Sequence, residues 1–113
     1  MKRWPGHRAF LIQRLSALVL LAGLAVGAMR IAFGPPVTFV QWQAWSAQPI
    51  GAGALVVLAM AVFVHTWVGV RDVILDYIHA IKLRRAVLGA VAAGLVLLAL
   101  WTIVIVATHV ISA

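Results

Sequence analysis

The chain contains no cysteine, only two acidic residues and a single tyrosine among its 113 residues. Each scarcity excludes something. Without thiols there are no disulfides, no thiolate metal sites and no cysteine nucleophile, and the redox compartment leaves no mark on the sequence. With charged residues at 10% against a usual share of about 25%, the surface of a small soluble domain could not be made polar enough. Hydrophobic residues fill 65% of the chain, and its mean hydropathy is +1.13. A soluble domain of this size has too much surface relative to its volume to hide that much apolar material. The composition therefore defines an all-α integral membrane protein. The net charge of +7 belongs to residues that flank membrane spans and meet anionic lipid, not to a nucleic-acid surface.

A span requires about 20 mainly apolar residues. Three segments qualify, at about 9–33, 49–78 and 86–110, and residues 1–113 read as one transmembrane anchor domain. Arg14 interrupts the first apolar run, which reads as a retained span and not as a cleaved signal peptide. Pro49 suits the first turn of the second helix, where its missing N–H has no partner to lose. The connection Gly34–Gln48, "GPPVTFVQWQAWSAQ", reads as a loop or a short interfacial helix, with Trp42 and Trp45 on one face at headgroup depth. No repeat or low-complexity tract is present. Gly23, Gly27, Gly51, Gly53, Gly69 and Gly94 suit close helix packing within the chain or against a partner. Eight of the nine basic residues fall on one side of this three-span arrangement: Lys2, Arg3, Arg8, Arg14, Arg71, Lys82, Arg84 and Arg85. Only Arg30 falls on the other. Basic residues favour the cytoplasmic side, so the N-terminus is expected there.

The scarce chemistry gathers in "FVHTWVGVRDVILDYIHAIKLRR", residues 63–85. At about 100° per residue, Gly69, Asp72 and Asp76 return to within about 40° of the direction of His65. One face thus carries an imidazole, a gap without a side chain, and two carboxylates. A histidine inside a span faces protein, water or a metal. Either it forms an interhelical hydrogen bond, or it ligates a haem iron, for which imidazole is well suited. Gly69, one turn on, would let a flat porphyrin approach the backbone. His7, His79 and His109 read as surface histidines. Arg14 either snorkels to the headgroups or binds an anionic group such as a haem propionate. Ser16 points to a different face and reads as a backbone-bonded filler. Asp72 can pair with basic neighbours. Asp76 and Tyr77 offer a proton-relaying carboxylate beside a hydroxyl donor, which suits a quinone head group at the membrane edge.

The stretch "HTWVGVRDVILDYI" resembles the motif of the small hydrophobic membrane-anchor subunit of bacterial succinate dehydrogenase (complex II). It matches in His65, Trp67, Gly69, Asp76 and Tyr77, and "AFLIQRLSALVL" is similar to that family's opening span, with an arginine at the place of Arg14. The resemblance implies that His65 is one axial ligand of haem b, the other coming from the larger cytochrome b anchor subunit. It implies that Arg14 lies near a haem propionate, with Gly69 packing against the ring. Tyr77 would bond ubiquinone, and Asp76 would support proton entry. It further implies docking of the iron–sulfur and flavoprotein subunits on the cytoplasmic face of the bacterial inner membrane. Electrons from succinate would then reach quinone, joining the tricarboxylic acid cycle to the respiratory chain, and this chain alone would catalyse nothing. A fumarate reductase anchor shares this fold and chemistry. A non-redox structural or transport accessory subunit would use His65 and the aspartates as interhelical contacts or a conduction path.

Overall fold

The computed structural model describes residues 6–113; Lys2 and Arg3 of the basic N-terminus lie outside the described residues. The described chain is all-helical, with four helices: α1 (Gly6–Phe33), α2 (Phe39–Ala47), α3 (Pro49–Tyr77) and α4 (Ile81–Ser112). Three of them, α1, α3 and α4, are long and apolar enough to cross a membrane.

Local chemistry sets the helix ends. Arg30 near the end of α1 turns its Nη1 to donate to the carbonyl of Pro35 at 2.8 Å, while Gly34 N–H donates to the Arg30 carbonyl at 3.0 Å. These bonds hold the chain as it leaves the helix. Thr38 then caps α2: its hydroxyl accepts from Gln41 N–H, and the Gln41 side chain accepts from Thr38 N–H. This reciprocal pair satisfies two donors at once, which is why the connection between the first two spans contains a real helix. Gln48 ends α2 and starts α3 with an extended backbone (φ −76°, ψ 151°), the conformation a following proline imposes. The turn after α3 is only residues 78–80, because α4 begins at Ile81, five positions ahead of the expected 86. Arg84 explains that early start. From the first turn of α4 its Nε donates to the carbonyl of Ile78 at 2.9 Å, satisfying a group that the end of α3 leaves without a partner.

The spans form a row and not a closed bundle. α1 and α4 both pack on α3, and no close backbone approach joins α1 to α4 among the described residues; α2 lies on α3 and α4. The Cα extents of 52 × 29 × 19 Å describe a flat slab. The central position of α3 explains why, among the described residues, it supplies four of the five buried apolar side chains: Ala52, Ala61, Val68 and Ile74, the fifth being Leu88 of α4. α1 runs antiparallel to α3, since Gln13 approaches Gly69, Ser16 meets His65 and Gly23 meets Leu58.

The helix glycines differ in what they face. A Cβ at Gly51 would overlap the backbone carbonyl of Trp45, and one at Gly23 would overlap the end of the Leu58 side chain. At these points the helices approach as closely as small residues permit. Gly27, Gly53, Gly89 and Gly94 face open space in this chain.

Candidate functional site

The polar centre of the spans lies between α1 and α3. His65 is half-buried on α3. Its Nδ1 stands 3.1 Å from the Oγ of Ser16, and the same hydroxyl lies 3.0 Å from the carbonyl of Gln13, one turn back on α1. Gly69 is half-buried on the same face of α3, and its side-chain direction points at Nε2 of Gln13, 3.8 Å from an ideal Cβ. The Oε1 of Gln13 is buried and has no hydrogen-bond donor, an unmet acceptor in the same interface. Imidazole, serine, glutamine and glycine thus meet at one level, well inside the apolar length of both helices. The interhelical hydrogen bond of His65 is present, and it uses Nδ1. Nε2, on the far edge of the ring, remains outside that bond.

Arg14 is exposed on α1, with its guanidinium carbon 4.9 Å from the centre of the Phe10 ring. It lies on the outer side of the helix relative to Ser16, at nearly the same depth. Asp72 is exposed and bonded at 3.4 Å to the neighbouring Arg71, a long contact of little energetic weight in solvent. Asp76 and Tyr77 end α3, both exposed, and the tyrosine is 79% exposed. From His65 to Tyr77 the helix climbs about 18 Å. The acid–tyrosine pair is therefore separate from the histidine centre and sits where α3 leaves the apolar zone. Among the described residues no three His, Asp or Glu side chains converge to hold an ion.

A second polar cluster occupies the opposite end. His109 of α4 places Nε2 3.0 Å from the Oγ of Ser46 and 3.2 Å from the carbonyl of Gln43, and Ser46 Oγ is 3.1 Å from that same carbonyl. His109 is therefore no simple surface histidine: it clamps α2 to the end of α4. Beside it lies a groove of about 300 Å³ lined by residues including Phe39, Trp42 and Leu55. Trp42 and Trp45 pack together with ring centres 5.6 Å apart, both partly exposed. His7 and His79 are exposed, as expected.

Sequence reasoning gives no site role to Ser16, Gln13, Ser46 or Gln43. A signal for them exists: Gln-x-x-Ser occurs at 13–16 and again at 43–46, and both serines bond the carbonyl of their own glutamine. What the spacing does not reveal is that each serine also meets a histidine far along the chain, 49 residues away for Ser16 and 63 for Ser46.

Three long apolar helices with polar side chains gathered between them make this a multi-pass membrane protein. Residues 4–110 match the family described as succinate dehydrogenase/fumarate reductase transmembrane subunit, and the chain belongs to that family. Membership implies association with other subunits of such an enzyme. Comparison with curated proteins gives no match.

Proposed function

We propose that this chain is the small membrane anchor of a succinate:quinone oxidoreductase, contributing one axial ligand to a shared haem b and part of a ubiquinone site. The observation that carries the reading is the state of His65 inside the span. Its Nδ1 is engaged by Ser16, and Nε2 is left outside that bond. A histidine ligand held through its second nitrogen is the usual arrangement at a metal. The residues present fit a haem in this respect, and they fit one ligand from this chain with a second from elsewhere. Arg14 lies at the same depth on the outer side of α1, and Gly69 faces Gln13 of that helix; a propionate at Arg14 and a ring against Gly69 are the parts of the proposal that rest on the resemblance. When bound, the haem would supply one-electron storage within the span.

Tyr77 and Asp76 make the quinone end. The exposed phenol can donate to a quinone carbonyl, and the carboxylate beside it can pass protons at the membrane boundary. The partners implied are the larger cytochrome b anchor, the iron–sulfur subunit and the flavoprotein, with the basic end of the slab on the cytoplasmic side of the bacterial inner membrane. Open faces on both sides of the row, with Gly27, Gly53 and Gly94 unfilled, suit partner helices as well as lipid. The succinate-oxidising direction rests on the resemblance of residues 65–77 to succinate dehydrogenase anchors, and a fumarate reductase anchor, sharing fold and quinone chemistry, is the second reading.

The test is purification of the tagged chain from its native membrane. The expected result is a complex with three partner chains and a Soret band that shifts on reduction. Tyr77→Phe in that complex should lower quinone reduction about ten-fold, the value of one hydrogen bond near 1.4 kcal/mol, with assembly intact. A chain that purifies without a dehydrogenase would return it to the class of structural accessory subunits.

A further inference from the structure

Ser16 is buried at 7% exposure inside α1, and its hydroxyl has two partners but only one hydrogen. Serine inside a helix commonly donates that hydrogen to the carbonyl three or four residues back, and the carbonyl of Gln13 lies 3.0 Å away. With the hydrogen given there, the 3.1 Å contact to Nδ1 of His65 requires the hydrogen to come from the imidazole. A neutral imidazole carries one N–H. Nδ1 then holds it, and Nε2 keeps a lone pair.

The second cluster of the molecule shows the same logic with the opposite outcome. Ser46 lies 3.1 Å from the carbonyl of Gln43, and Nε2 of His109 lies within reach of both that carbonyl and the serine oxygen. A carbonyl can only accept, so Nε2 of His109 carries the hydrogen. The two Gln-x-x-Ser units act as imidazole N–H acceptors, one selecting Nδ1–H and the other Nε2–H. Only the unit on α1 leaves Nε2 able to bind a metal.

We propose that Ser16 is a positioning residue for His65: it accepts from Nδ1–H, fixes the tautomer that presents Nε2, and strengthens the imidazole as an electron donor to the metal. This rests on the reading of His65 as a haem ligand. A hydrogen bond from the far nitrogen raises the basicity of a histidine ligand. It therefore stabilises the more oxidised metal, and its loss raises the reduction potential.

The experiment uses the native complex in lipid with 15N-labelled histidine, the His65 signals being assigned by their loss in His65→Gln. In the complex assembled without haem, where no iron fixes Nε2, the wild-type His65 shifts should report hydrogen on Nδ1; in Ser16→Ala this preference should disappear, and in Ser16→Thr it should persist. The haem midpoint potential should rise in Ser16→Ala, stay near wild type in Ser16→Thr, and be unmoved by Ser46→Ala. Loss of haem from Ser16→Ala but not from Ser16→Thr would also support the role. Hydrogen on Nε2 of the wild type would overturn it. So would an unchanged potential in Ser16→Ala, or loss of haem from both Ser16 variants, which would assign the effect to volume and not to the hydroxyl. The tautomer is read without haem and the potential with it, so a wild-type complex that never takes up haem would defeat the ligand reading while the shifts still decide the Ser16 contact.

Discussion

At the residue scale, the placement of two histidines follows from what a membrane interior does to polar groups. An imidazole without a partner there is costly, and both His65 and His109 have found a serine on another helix. The cost of breaking such a contact gives a prediction. His109→Ala removes a donor from Ser46 and Gln43 and should lower stability by about 1 kcal/mol, seen as a lower thermal midpoint of the solubilised complex and as a shift in the emission of Trp42 and Trp45 as α2 loosens. His65 is legible in the sequence as the polar centre of α3, because a lone histidine in an apolar helix stands out. Ser16 is not. A serine in a span satisfies itself through its own backbone, so its type and spacing give no sign of a second partner, which only the antiparallel register of α1 against α3 supplies. Asp76 and Tyr77 are legible for the opposite reason: they sit where the apolar run fails.

At the scale of elements, the close contact between α2 and α3 is the sensitive point. Gly51→Ala drives a methyl group into the backbone of Trp45, which cannot rotate away, and should cost about 1–3 kcal/mol as overpacking. Gly23→Ala meets only the end of the Leu58 side chain, which can turn, and should cost less. Thermal unfolding of the two variants in the same detergent checks the order; equal losses would contradict it. The spans themselves are readable from length and hydropathy, since about 20 apolar residues admit few other structures. The ends are less so. The early start of α4 depends on Arg84 reaching back to Ile78, and the helix in the first connection depends on the Thr38–Gln41 pair. Both are local bonds that hydropathy does not weigh, though the Thr-x-x-Gln spacing is itself a capping signature.

At the scale of the whole molecule, the row of α1, α3 and α4 leaves most apolar side chains exposed, from Leu24 and Phe33 to Trp101 and Ile111. A slab of this kind is complete only among lipid and other helices, in keeping with a family of transmembrane subunits. The described basic residues Arg8, Arg71, Lys82, Arg84 and Arg85 lie toward one end, where α1 starts and α3 turns into α4, while Arg30 and the α2 helix lie toward the other. That asymmetry predicts the orientation. Because the chain has no cysteine, His79→Cys and Ser112→Cys each introduce a unique label site. An impermeant thiol reagent added to intact cells should modify position 112 and spare position 79; the reverse pattern would invert the topology.

The rest of the proposed function depends on His65 as a haem ligand within the membrane. The most direct measurement is the reduced-minus-oxidised absorption spectrum of the purified complex carrying wild-type chain or His65→Ala. The expected result is a b-type signal in the wild type that is lost or clearly shifted in the variant, with the partner chains still present. A wild-type complex without that signal, or a variant whose b-type spectrum is unchanged, would contradict it.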